Sequence, residues 1–157
     1  MSRPRVSAGF SLIELMVVVA IAAILASIAV PSFRNLMLDS RLTSTTNQML
    51  GSLQLARSEA VMQRTTISVC TANSDRNACG SGTDWSNGAL IMNGSTLVKF
   101  IPPLADSITV TSSASKFDFR SDGTTSAGTV TISDSRSVSR QIKINAIGQT
   151  CSGSSCS

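Results

Sequence analysis

The 157 residues contain no histidine and four cysteines, and that contrast limits the available chemistry before any element is placed. Without imidazole there is no Ser/His/Asp triad, no Cys/His pair, no His-bearing zinc site and no imidazole pH switch. The remaining residues assemble no paired carboxylates, nucleophile with base, metal cluster or phosphate loop, so the expected role is not enzymatic and no cofactor or metal is expected. The cysteines stand at 70, 79, 151 and 156 without a C-x-x-C pair, a spacing poor for zinc and usable for disulfides. Of the three connectivities open to four cysteines, sequence proximity favours Cys70 with Cys79 and Cys151 with Cys156. Each short loop so closed would stabilise by about 2 to 3 kcal/mol in the chain-entropy account. The second would tie down the Gly/Ser-rich stretch CSGSSCS.

A single carboxylate is conspicuous by its position. From Phe10 to Val30 the chain reads FSLIELMVVVAIAAILASIAV, with Glu14 its only charge and Ser11 and Ser27 its only other polar side chains. As a helix this run is about 31 Å long, close to a hydrocarbon core of about 30 Å. A carboxylate in such a span costs about 2.5 to 3.5 kcal/mol on insertion scales. A cleaved secretory signal usually has a shorter apolar stretch, and an acid near its start opposes insertion. A plain anchor offers no reason for Glu14, and a carboxylate snorkelling to the membrane edge explains only how it is tolerated. The cost calls for a partner. Pro31 closes the run and either kinks the helix or marks a boundary.

Before the run lies MSRPRVSAG, with Arg3, Arg5 and no acid. A short basic leader ending in Gly9, then Phe10-Ser11-Leu12-Ile13-Glu14-Leu15 and a long apolar helix, resembles the class III signal of type IV prepilins and type II secretion pseudopilins. The resemblance implies that a prepilin peptidase cuts between Gly9 and Phe10 and that the new amino group of Phe10 is methylated. It also implies that Glu14, with Pro31 at the far end of the run, serves assembly. In a filament core of low dielectric, Glu14 would neutralise the ammonium of a neighbouring subunit. The implied partners are other major and minor pilins, met through the N-terminal helix, the peptidase, and an inner-membrane assembly platform.

Orientation does not follow from charge, because Arg3 and Arg5 before the span are matched by Arg34 and Arg41 after it. All four cysteines follow the span, and paired thiols persist in an oxidising compartment. The expected arrangement is therefore a cytoplasmic leader and a periplasmic body. It places the chain in the bacterial inner membrane as a single-pass protein before assembly, and in a pilus or pseudopilus afterwards.

The elements that must carry these residues follow from periodicity. From Ser32 to about Gln63, Leu42, Met49, Leu53, Ala56 and Ala60 recur at steps of three, four or seven and form one stripe, with Arg41, Gln48, Ser52 and Glu59 largely off it. Beyond Arg64, short strand candidates run over 65–70, 89–92, 96–101, 108–111, 116–120, 128–133 and 140–145. Phe117/Phe119, Val130/Ile132 and Ile142/Ile144 alternate as inward faces, Asn93-Gly94 signals a hairpin and Asp122-Gly123 a turn. The expected fold class is α+β: a long N-terminal helix, membrane-spanning in its first half, packed on small antiparallel sheets. Its segments are a leader at 1–9, an apolar half-helix at 10–31, an amphipathic half-helix at 32–63 and a β-rich head at 64–157.

The second half resembles the FimT/GspH group of minor pilins and pseudopilins. The resemblance rests on Leu55-Ala56-Arg57-Ser58-Glu59-Ala60-Val61, then Ser68-Val69-Cys70, Cys79, Trp85 and Gly88. It continues through Phe117-Asp118-Phe119, Gly123, Gly128-Thr129-Val130, Arg140-Gln141-Ile142-Lys143-Ile144 and Gly148. Arg57 and Glu59 are expected to be solvated charges, and Trp85 to anchor the loop after Cys79 by packing.

Members of this group that act in natural transformation carry a Gly-Arg-x-Arg motif after the last strand, where this chain has Gly148-Gln149-Thr150-Cys151. The basic residues left for DNA phosphates are Arg136, Arg140 and Lys143, with Lys116 and Arg120 on an earlier strand and no interleaved aromatic platform. Loss of Arg3 and Arg5 with the leader leaves 11 basic against 9 acidic side chains, which weakens the electrostatic case. Three roles remain: a minor pilin in a tip or priming complex, a type II secretion pseudopilin, and a DNA-binding minor pilin.

Overall fold

A computed structural model describes residues 11–102 and 107–153. The chain divides into two compact units, Met1–Met37 and Leu38–Ser157, and the helix α1, Leu12–Gln63, contributes to both.

In the first unit, α1 opens on a capped turn. The Ser11 hydroxyl accepts the Glu14 backbone N–H at 3.3 Å, and the Ser11 carbonyl accepts that of Leu15 at 3.2 Å. Ser11 thus occupies the cap of an S-x-x-E start and satisfies one of the four unpaired N–H groups of the helix end. Every residue from Ser11 to Met37 is exposed. The helix runs through Pro31 without ending there, although proline removes the donor that would have met the Ser27 carbonyl.

In the second unit the same helix is striped. Leu42, Thr45, Thr46, Met49, Ser52, Leu53, Ala56 and Ala60 are buried. Ser52, expected off the stripe, lies three residues after Met49 and four before Ala56, which is the same face. Its hydroxyl is satisfied by the Gln48 carbonyl at 2.8 Å, as that of Thr46 is by Leu42 at 2.7 Å, so two buried polar side chains bring no unpaired donor to the core. The helix stops where Arg64 takes a left-handed φ of 52° and the Thr65 N–H returns to the Ala60 carbonyl at 3.2 Å. That is a C-terminal cap of the kind glycine usually makes.

The strands are β1 Ile67–Thr71, β2 Ala89–Asn93, β3 Thr96–Ile101, β4 Ile108–Ser112, β5 Lys116–Phe119, β6 Gly128–Asp134, β7 Ser139–Ile144 and β8 Thr150–Ser152. They form two antiparallel sheets, ordered β3-β2-β1-β5 and β4-β6-β7-β8. Seven lie where alternation and turn signals put them. The eighth, Thr-Cys-Ser, has no apolar alternation and is recruited by register, Ile144 facing Thr150 and Ile142 facing Ser152.

The helix stripe joins Phe117 and Phe119 from one sheet and Val110, Val130, Ile132, Ile142 and Ile144 from the other in a single core. Each side chain so buried stabilises by about 1.5–3 kcal/mol before entropy is counted. Trp85 packs between the sheets: its ring is fully buried 5.9 Å from that of Phe117, its backbone N–H donates to the Val110 carbonyl at 2.8 Å, and its indole N–H has no partner among the described residues. The packing role expected of Trp85 is the one it has. On the outer face of the first sheet Cys70, Ala72, Leu90 and Met92 form a second buried cluster against Phe100. The Cys70–Cys79 disulfide, with Cα atoms 5.5 Å apart, ties the following loop to that face.

Candidate functional site

The first site is the apolar part of α1. Among the described residues α1 alone is long and apolar enough to cross a membrane, and none of its apolar window is buried within the chain. Glu14 lies in the first helical turn, where the partial positive charge of the helix end favours a carboxylate. It is exposed, and its backbone is pinned by Ser11. Gly9 and Phe10, the expected processing residues, lie outside the described residues. Pro31 sits within the exposed stretch.

The second site is on the head, around a residue whose role the sequence concealed. Arg57 is half-buried, not a solvated charge: its Nε donates to the Gly123 carbonyl at 3.2 Å and its Nη2 to the Ile147 carbonyl at 3.0 Å. One guanidinium therefore holds the turn after β5 and the turn after β7 against the helix. Charge-assisted bonds of this kind contribute about 1.5–3 kcal/mol each. The turns must come close for this to work. A Cβ on Gly148, at φ +74°, would fall 1.9 Å from the Gly123 oxygen, so only glycine fits. Arg57 is one position past Ala56 and so at the stripe's border; the glycines at 123 and 148 were the one sign that something passes there. Glu59 is half-exposed, and its carboxylate accepts a 2.6 Å bond from Gln63.

The expected DNA-contact residues differ in their surroundings. Arg136, on the β6–β7 turn, is held by Asp134 at 2.6 Å and by Asp39 of α1, and these two carboxylates neutralise it. Burial pushes the Asp134 carboxyl up, but the Arg136 guanidinium and the backbone N–H groups of Val138 and Arg136 outweigh it and hold the group below the usual carboxylate range. Its bonds to Asp39 and Asp134 raise Arg136 in turn. Arg140 and Lys143 line a depression of about 320 Å³ with Ser139, Gln141, Ser152 and Gly153. Lys116 is paired with Asp118 at 2.9 Å, and Arg120 donates to Thr124 at 3.5 Å. Cys151 is disulfide-bonded, while Cys156, its expected partner, lies outside the described residues.

A model of the family described as Type II transport protein GspH matches residues 45–148, two thirds of the chain. The chain belongs to the GspH family. The prokaryotic N-terminal methylation motif matches residues 4–30, which joins this GspH head to a pilin-type N-terminus. No curated protein sequence matches the chain. In fold it is similar to the type IV minor pilin FimU of Pseudomonas aeruginosa, with 22% identity over 74% of this chain and 90% of that one and a TM-score of 0.61. A second crystal form of FimU gives 0.58, covering 72% and 93% of the two chains at 22% identity. The minor pseudopilin EpsH from the type 2 secretion system of Vibrio cholerae is 10% identical over 72% of this chain and 96% of that one, with a TM-score of 0.54. Family, motif and fold together make this GspH-family chain a structural subunit of the pilin or pseudopilin type.

Proposed function

We propose that this chain is a minor subunit of a type IV pilus, joined through its N-terminal helix to other pilins in a tip or priming complex. Before assembly it is a single-pass protein of the bacterial inner membrane with its head in the periplasm. A prepilin peptidase releases the leader between Gly9 and Phe10, the Phe10 amino group is methylated, and an inner-membrane platform passes the helix into the filament.

The observation that carries this reading is the helix from Leu12 to Met37, exposed throughout, apolar, and charged near its start at Glu14 alone. Lipid covers such a surface first and other pilin helices afterwards; the carboxylate, costly in hydrocarbon, meets an N-terminal ammonium only in the second setting. Support for a pilus is the greater likeness to FimU. A type II secretion pseudopilus is a second reading, favoured by the description of the matching family. A DNA-binding role has less support, because Arg136 is held by two carboxylates.

The test is to locate the tagged chain in sheared surface filaments, using cells without retraction as controls. A pilus subunit copurifies with the filaments, and Glu14→Ala lowers its incorporation at least about tenfold while leaving insertion and leader removal intact. Normal incorporation of Glu14→Ala would end the assembly role of that carboxylate, and retention of the chain in the cell envelope would favour the pseudopilus.

A further inference from the structure

Beside the Arg57 tie lies a groove of about 610 Å³, bounded on one side by Gln54, Arg57, Ser58, Val61 and Met62 of α1 and on the other by Gly148, Gln149 and Thr150. Its helix wall carries exposed apolar side chains: Val61 and Met62 are 48% and 72% exposed. Its second wall ends in β8, the last strand of its sheet among the described residues. Arg57 is the one charge among the lining residues. Its described partners are two neutral carbonyls, and among the described residues no carboxylate pairs with it. The nearest acid along the helix, Glu59, accepts instead from Gln63.

A half-buried cation with no carboxylate partner among the described residues, set beside the apolar side chains of Val61 and Met62, is complementary to a carboxylate with apolar neighbours. We infer that this groove receives an acidic side chain, flanked by apolar residues, from the head of a neighbouring pilin subunit. The inference rests on the chain being a filament subunit, and it concerns the head, where the proposed function concerned the helix. One positive charge beside Val61 and Met62, with no aromatic ring in the lining, suits a protein segment better than a nucleic acid, whose phosphates call for several cations and whose bases call for stacking surfaces. The walls supply contact area, and Arg57 supplies selection, since a basic or neutral segment would leave the guanidinium desolvated and unpaired.

The full-length chain, expressed in the host that builds the filament, carries the photoreactive substitution Met62→benzoylphenylalanine. Irradiation is expected to join it to a second chain bearing a prepilin leader motif, at a peptide containing Asp or Glu. Gln54→Glu places a carboxylate three residues before Arg57, within reach of it, and is expected to lower the crosslink about tenfold. Gln48→Glu, exposed and outside the groove, adds the same charge and should leave the yield unchanged. A crosslink to residues of the same chain, to nucleic acid or to a protein without the leader motif would overturn the inference, as would no crosslink or equal yields from the two Glu variants. Loss of the crosslink with normal Glu14-dependent incorporation sinks the groove alone. A normal crosslink with incorporation indifferent to Glu14 keeps the groove and sinks the proposed helix role.

Discussion

The two stretches of α1, residues 12–37 and 38–63, are one continuous helix with opposite relations to the rest of the chain. In the first every residue is exposed, and the apolar side chains cover the whole circumference. In the second a stripe of eight residues is buried and its opposite face is polar. Among the described residues nothing covers the first, and in the proposed function lipid or other helices bury it. The second is stabilised by two sheets of the same chain. The difference teaches that helix composition all round, and not helix length, separates a segment used between molecules from one used within a molecule.

The sharpest way to break this comparison is to make one substitution in both stretches. Leu53→Ala removes a fully buried side chain and should cost the head about 2–5 kcal/mol. Leu25→Ala, at a position 63% exposed, should leave the head's unfolding unchanged. Thermal unfolding of the detergent-solubilised chain, followed by fluorescence of the sole tryptophan, Trp85, reads both. A head destabilised by Leu25→Ala would show that the stretches are energetically coupled.

A smaller loss is expected at the Arg57 tie. Gly148→Ala forces a side chain into a left-handed conformation against the Gly123 carbonyl and should cost about 2–3 kcal/mol, read by the same melt. Acid should act on the head. Because Asp134 titrates lower in the folded chain than its ordinary 3.8, its ionised form stabilises the head above that value, and the contribution is lost as pH falls through the lowered one. Unfolding midpoints should therefore drop below about pH 3.8, and less so in Arg136→Gln, which lacks the guanidinium that holds Asp134 ionised. The smallest effect belongs to Arg64→Gly, which relieves the left-handed φ at the helix end and should raise head stability by about 1 kcal/mol.

How far such features can be read beforehand depends on whether they are local. The stripe through Leu42, Met49, Leu53, Ala56 and Ala60 is buried as its spacing implies, and Phe117/Phe119 and Ile142/Ile144 face inward as their alternation implies. The polarity of Ser52 points outward while its position points inward, and position wins because a serine that donates to the carbonyl four residues back can sit in a core. Arg57 departs from its expected solvation for a different reason. Its acceptors lie 66 and 90 residues away, and no periodicity reaches that far. β8 was invisible because its pairing with β7 comes from the Asn145–Gln149 turn and a neighbouring strand, not from its own three residues.

What the amino-acid order determined alone is everything that depends on neighbours a few positions apart: the greasy run with its solitary acid, the helical stripe, seven strands and the processing motif. Hydropathy and side-chain period act over one or two turns, so they are written where they operate. Tertiary structure decided which cations meet a carboxylate, which glycines are irreplaceable and where a groove opens. Those outcomes depend on distances between turns remote in sequence, and such distances exist only once the two sheets have closed on the helix.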